Sequence, residues 1–214
     1  MNRGLLIEFL IPLLSVAATT VALQAAGADL AVAALFYVPG AGWPQGGREP
    51  WEFLYRYGNI PAFALGALGV TAFALGFFVE RLRRYRAAAL FVVAFLALGP
   101  GLIVNTVFKD HWGRPRPAEI VQFGGTEVFR PFWSPGGQGQ GRSFPSGHAA
   151  IGFFVLAPFF VFRKTSPGLA RRALGAGFLY GALMGLARII QGGHFLTDVI
   201  WSGILVYQIG RAHV

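Results

Sequence analysis

His194 and Asp198 stand four positions apart in a chain of 214 residues that has no cysteine and only four histidines. On a helix, side chains at that spacing share a face. A carboxylate bonded to one imidazole nitrogen fixes the ring tautomer and leaves the other nitrogen nucleophilic. Arg188 lies just upstream, while Lys109 and Arg116 belong to an earlier polar cluster, Lys109-Asp110-His111-Trp112-Gly113-Arg114-Pro115-Arg116-Pro117. These residues supply three fixed cations, and guanidinium forks match phosphate oxygens, often in a bidentate way. A further cluster, Arg142-Ser143-Phe144-Pro145-Ser146-Gly147-His148, opens an apolar run. Ser146 and Gly147 therefore stand where a loop enters a helix. Free backbone N–H groups at such a point bind anions, and glycine lets the backbone approach closely. His148 is left as a candidate proton donor to a leaving oxygen, a role that suits an unperturbed pKa of about 6.5.

The elements that position these clusters are apolar. Hydrophobic residues make up 55% of the chain, charged residues 13%, and mean hydropathy is +0.55. Soluble domains carry about 25% charged residues, so the composition describes a membrane protein. The length suits a single domain over residues 1–214. A formal charge of +9 raises the question of a nucleic-acid partner. The basic residues form no single patch or stripe. They fall into short clusters between apolar runs, the pattern that writes membrane topology. Without cysteine there are neither disulfides nor thiolate metal sites. Histidines and carboxylates are too sparse near the clusters for a two-metal centre, so no metal and no cofactor is expected. His111 reads as a phosphate contact or a surface residue, and His213 lies at the opposite, cytoplasmic end.

Three spans are clear, from about Phe9 to Ala26, Ile60 to Val79 and Ala87 to Phe108. Each approaches or exceeds the ~20 residues that cross a hydrocarbon core. Three shorter segments, Ala149 to Phe162, Ala173 to Ala187 and Val199 to Gly210, reach that length once a terminal ionisable residue is included. The expected fold is all-α and polytopic, with about six transmembrane helices. The stretch Met1 to Leu23 is read as a retained first helix rather than a signal peptide, because its apolar run continues past Ala18. Gly177, Gly181 and Gly185 form a small-residue ridge suited to close internal helix packing.

Loop charges set the orientation. Arg81, Arg83, Arg84 and Arg86 occupy one loop, Arg163, Lys164, Arg171 and Arg172 another, and Arg3 and Arg211 fall on the same side. The positive-inside rule makes that side cytoplasmic, although the excess is only ten basic residues against eight. All three polar clusters then share the outer face. A single basic residue at a span end is ordinarily a snorkelling anchor. Anchors alone would not gather three cations, two histidines and a carboxylate at these spacings.

At this point the sequence resembles the type 2 phosphatidic-acid phosphatase family. Lys109, six residues, then Arg116-Pro117 matches that family's first signature; Pro145-Ser146-Gly147-His148 matches the second; Arg188, five residues, His194, three residues, Asp198 matches the third. The family usually has Ser before the third-signature Arg, where this chain has Ala187; a helper hydroxyl is lost. The resemblance implies that His194 attacks phosphorus to form a phosphohistidine, Asp198 orients it and His148 protonates the leaving oxygen. It also implies that Lys109, Arg116, Ser146, Gly147 and Arg188 hold the phosphoryl oxygens, with water then hydrolysing the intermediate and no metal involved.

The expected activity is dephosphorylation of a membrane lipid phosphate or pyrophosphate. Candidates are undecaprenyl pyrophosphate, phosphatidylglycerophosphate, phosphatidic acid and lipid A. The Lys109-to-Arg116 stretch and Phe123-Gly124-Gly125 look similar to bacterial envelope members. The expected location is the bacterial inner membrane, with the site facing the periplasm or exterior. The expected partners are the lipid and the membrane; no nucleic acid and no obligatory protein partner is inferred. A phosphotransferase would use the same site. An anion or lipid transporter is a more distant reading, because transporters place their sites near the midplane, often beside repeats. Phe123, Phe129, Phe132 and Trp133 join the first two signatures and suit either membrane anchoring or loop packing.

Overall fold

The computed structural model describes residues 6–137 and 139–212; Arg3 and His213 lie outside the described residues. A short π-type turn, Leu6–Leu10, leads into α1, Ile11–Ala25. The chain then bends by 65° into α2, Ala28–Ala34. Gly27 makes the bend in the left-handed region, at φ 67°, which costs glycine nothing. Helix α3, Trp51–Tyr57, runs on through a tight turn into α4, Ile60–Leu75. The short α5, Glu80–Arg83, precedes α6, Arg86–Leu96. Helix α6 widens into a π-type segment, Ala97–Phe108, and ends with the turn Lys109–His111. Pro100 sits inside that segment, where its missing N–H disturbs the hydrogen-bond ladder. The Asn105 side chain donates to the Pro100 carbonyl at 2.7 Å.

The second half holds α7, Gly147–Phe154; α8, Ala157–Phe162; α9, Pro167–Ile190; and α10, Leu196–Ala212. Three helices are long and apolar enough to cross a membrane, Trp51–Leu75, Arg86–His111 and Pro167–Ile190, and the bent pair α1–α2 makes a fourth if it is taken as one broken span. Gly147–Phe162 and α10 are apolar but shorter. Among the described residues there are no strands, only two isolated bridges. The expected fifth span begins earlier than charge counting implied. Arg171 and Arg172 are helical residues of α9, because Pro167 starts the helix at its first turn.

Large apolar side chains face outward along the helices: Leu14, Leu68 and Leu179 are each more than 60% exposed. Such a surface suits lipid rather than water. Inside, Phe95, Phe154, Leu156 and Phe160 form the core between α6, α7, α8 and α10. The glycine ridge of α9 is internal packing, as its spacing suggested. A Cβ at Gly177, Gly181 or Gly185 would meet Leu156, Phe153 or Val199 at 2.5 Å or less. That close approach docks α9 against α7 and α10, so the ends of all three helices meet at one rim.

Candidate active site

The rim is built from local signals. Ser146 caps α7, with its hydroxyl accepting from the Ala149 N–H at 3.4 Å, so Gly147 and His148 occupy the first turn. Ser202 on α10 donates to the Ser146 carbonyl at 2.9 Å and locks the cap to the neighbouring helix. A Cβ on Gly147 would lie 3.1 Å from Lys109 Nζ and 2.3 Å from Asn105 Oδ1. The Lys109 ammonium therefore closes over the α7 N-terminus, and only glycine leaves it room.

Arg188, on the last turn of α9, folds over the loop that follows. A Cβ on Gly193 would lie 2.2 Å from its Nη2. Arg188 also donates to the Gln191 side chain and places its guanidinium 4.6 Å from the centroid of Tyr55. Arg116 is half-buried; its backbone N–H donates to Glu119 at 2.7 Å, and its Nε has no protein partner. Lys109, Arg116, Arg188 and His194 all lie close enough to act electrostatically on His148. The eight residues singled out from the sequence thus converge, although Lys109 and Asp198 lie 89 positions apart in the chain.

His194 is 1% exposed and sits in the loop between α9 and α10, two residues before α10 begins. The helical spacing argument does not apply there, because His194 is not helical. The pair meets all the same, with His194 Nδ1 3.7 Å from Asp198 Oδ2. That is longer than a hydrogen bond, and Nδ1 has no hydrogen-bond partner in the structure. Contacts of this kind commonly tighten when substrate binds. Burial pushes the His194 imidazole down to about 4, against the pull of Asp198. At neutral pH the ring is uncharged, and its Nε2 edge is turned away from the carboxylate.

Asp198 is held by groups that spacing did not single out. Its Oδ2 accepts from Ser143 Oγ at 2.6 Å and from the Phe195 N–H at 2.8 Å. Its Oδ1 lies 2.5 Å from Nη1 of Arg114. Arg114, fully buried, reaches in the other direction to Asp29 of α2 at 2.7 Å. Arg114 also caps the carbonyl of Arg130 at 2.9 Å, with its guanidinium 4.4 Å from the Phe195 ring centroid. Burial alone would lower the Arg114 pKa, but Asp198 and Asp29 together raise it.

The sequence did carry one sign of Asp29: it stands just past the expected span end at Ala26 and is followed by a further apolar run, Leu30 to Val38, and a carboxylate between apolar runs is expensive. Tyr55 carried no such sign. The aromatic loop packs more than it anchors. Phe123 contacts Tyr37 and Trp43, Phe129 contacts Phe195, and Phe132 contacts Phe144 and Trp201. Trp133 alone of the four is half exposed, at 50%. Ala187 is buried at 1%. His111 is exposed, with Nδ1 2.8 Å from the Val107 carbonyl.

A bundle of lipid-facing helices with a cation-lined histidine site at one rim is the build of a membrane phosphatase. The chain belongs to the PAP2 superfamily, whose family model matches residues 88–212 and so takes in all three signatures. It is 38% identical over 186 residues to a Lipid A 4'-phosphatase of Francisella tularensis subsp. novicida, covering 84% of this chain and 81% of that protein. It is 34% identical over 134 residues to a Lipid A 4'-phosphatase of Rhizobium leguminosarum, covering 61% of this chain and 54% of that protein. A Lipid A 4'-phosphatase of Rhizobium etli is also 34% identical over 134 residues, with 49% of its length covered. No solved structure matches the chain. The family reading from the signatures is therefore correct, and the protein is an integral membrane lipid phosphatase.

Proposed function

We propose that this lipid phosphatase hydrolyses a phosphate monoester on a lipid A-type glycolipid, through a phosphohistidine on His194. The observation that carries the mechanism is the setting of His194: buried, uncharged at neutral pH, with Nδ1 facing Asp198 and with Lys109 and Arg188 in electrostatic reach. Nε2 attacks phosphorus in line with the ester oxygen. The P–O bond breaks, and His148, which takes up a proton when the phosphate dianion binds beside it, gives that proton to the departing alkoxide. Lys109, Arg116, Arg188 and the N–H groups at Gly147 and His148 bind the non-bridging oxygens, whose charge they offset in the transition state. His148 then takes a proton from water, which attacks the phosphohistidine, releases phosphate and restores the imidazole.

The substrate reading rests on the Lipid A 4'-phosphatase relatives, the first of which is matched over most of its length. In this reading six helices span the bilayer, α1 with α2, α3 with α4, α6, α7 with α8, α9 and α10. The site then faces the periplasmic side of a bacterial inner membrane, where the outer-leaflet headgroup lies. The test is phosphate release from bis-phosphorylated lipid A, undecaprenyl pyrophosphate, phosphatidylglycerophosphate and phosphatidic acid, by wild type and His194→Ala. Turnover that favours lipid A and vanishes in the variant is expected. Preference for another lipid removes the substrate reading, and an active His194→Ala removes the mechanism. A phosphorylated lipid product in place of free phosphate would identify a transferase.

A further inference from the structure

We propose that Asp29 is a positioning residue for the phosphatase reaction, offsetting the Arg114 charge so that the negative field of Asp198 reaches His194 uncancelled. The inference rests on the phosphohistidine reading above. Arg114 is fully buried and carries one positive charge between two carboxylates, Asp29 at 2.7 Å and Asp198 at 2.5 Å. Both carboxylates are themselves buried, at 1% and 0% exposure. Were Arg114 paired with Asp198 alone, the pair would be neutral, and His194 would face a carboxylate whose field is cancelled.

With Asp29 on the far side of the guanidinium, the buried triad holds two negative charges and one positive. The excess negative charge lies beside a ring that gains positive character as it bonds to phosphorus. In a desolvated site such fixed charge acts strongly on the transition state. The remaining contacts hold the geometry. Thr197 Oγ1 donates to Asp29 Oδ2 at 2.6 Å and accepts from Arg114 Nη1 at 2.9 Å. Asp29 Oδ1 accepts the Thr197 N–H at 2.9 Å, and the Gln24 side chain also donates to Asp29.

A purely structural role, pinning α2 to the start of α10, is the competing account, and the two accounts separate by charge. Asp29→Asn keeps the size and one acceptor for the Thr197 N–H but removes the charge. Asp29→Glu keeps the charge at the cost of a longer stem. With purified protein in detergent and bis-phosphorylated lipid A as substrate, Asp29→Asn is expected to lose at least tenfold in kcat, with KM within about twofold. Asp29→Glu should recover most of that kcat. Acid-labile phosphate trapped on the protein in rapid-quench samples should form more slowly in Asp29→Asn by the same factor.

Wild-type kcat in Asp29→Asn overturns the proposal, as does equal loss in Asp29→Glu and Asp29→Asn. Where Asp29→Asn does not fold, Thr197→Val decides the matter. It keeps every charge and loses only the bridging hydroxyl, so kcat within about threefold of wild type supports the charge account, and a collapse of kcat in a folded Thr197→Val overturns it. His194→Ala run alongside separates the two levels. If it retains turnover, the phosphohistidine reading fails; if it is inactive while Asp29→Asn is normal, only the role of Asp29 fails.

Discussion

The phenol ring of Tyr55 lies against the imidazole of His148, with ring centroids 5.1 Å apart and planes 28° apart. The guanidinium of Arg188 sits 4.6 Å from the same phenol centroid. Tyr55 thus joins the proposed acid to one of the phosphate-binding cations, from a helix that contributes none of the three signatures. Stacking and cation–π contacts of this type amount to about 0.5–2 kcal/mol. Tyr55→Phe should therefore stay within about threefold of wild type, and Tyr55→Ala should fall about tenfold or more in kcat on a lipid phosphate. Steady-state phosphate release measures both. Equal losses in the two variants would mean that the hydroxyl, not the ring, does the work.

His148→Ala should be slow on lipid substrates, whose alkoxide leaves poorly, and less impaired on p-nitrophenyl phosphate, whose leaving group needs no proton. His194→Ala should be inactive on both. A His148→Ala variant equally damaged on both substrates would assign His148 to binding rather than proton transfer.

The depressed His194 pKa has a consequence for stability as well as rate. The folded value is about 4, below the unfolded value of about 6.5. Between those two values the unfolded chain binds the extra proton, so stability falls as pH drops from about 6.5 toward 4 and is fully present above 6.5. Thermal unfolding in detergent should move to lower temperature over that window, and by less in His194→Gln. For turnover, protonation of His194 should limit the rate only near pH 4. A His194 imidazole titration near pH 6.5, followed by NMR in the folded protein, would contradict a buried, uncharged ring.

Orientation is tested by labelling. A Cβ at Gly47 or Gly168 meets nothing within 4 Å, so cysteine is sterically tolerated at each. Gly47→Cys should react with an impermeant thiol reagent from outside the cell, and Gly168→Cys and Arg84→Cys only after permeabilisation. The inverse pattern would put the site in the cytoplasm and change the accessible leaflet.

In the proposed mechanism, charge on the transferring phosphoryl is offset by Lys109, Arg116 and Arg188, and no three His, Asp or Glu side chains group as a metal would require among the described residues. Activity should survive exhaustive EDTA treatment, and vanadate should inhibit as a five-coordinate mimic. Restoration by a divalent cation after loss in EDTA would refute the metal-independent mechanism. Trp133→Ala should alter the ranking of lipid substrates more than activity on p-nitrophenyl phosphate, because Trp133 is exposed while Phe132 is committed to packing on Phe144 and Trp201.

The sequence by itself determined what local chemistry can write. Apolar runs marked the helices, Ser146 and Gly147 marked the start of α7, and the glycine ridge of α9 marked close packing. Three short signatures named Lys109, Arg116, Arg188, both histidines and Asp198, but not the buried Arg114. These features depend on neighbours within a turn or two of chain, so residue type and spacing are enough. The tertiary structure alone decided how Asp198 is held and what covers His148. Arg114 meets Asp198 across 84 positions and Asp29 across 85. Those contacts exist because Gly27 turns α2 back toward the start of α10, which no local pattern specifies. Tyr55 reaches His148 only because α3 packs on α9. His194 likewise meets Asp198 from a loop rather than along a helix: the four-residue spacing was legible, but its geometry comes from the buried carboxylate network that fixes Asp198 in the first turn of α10.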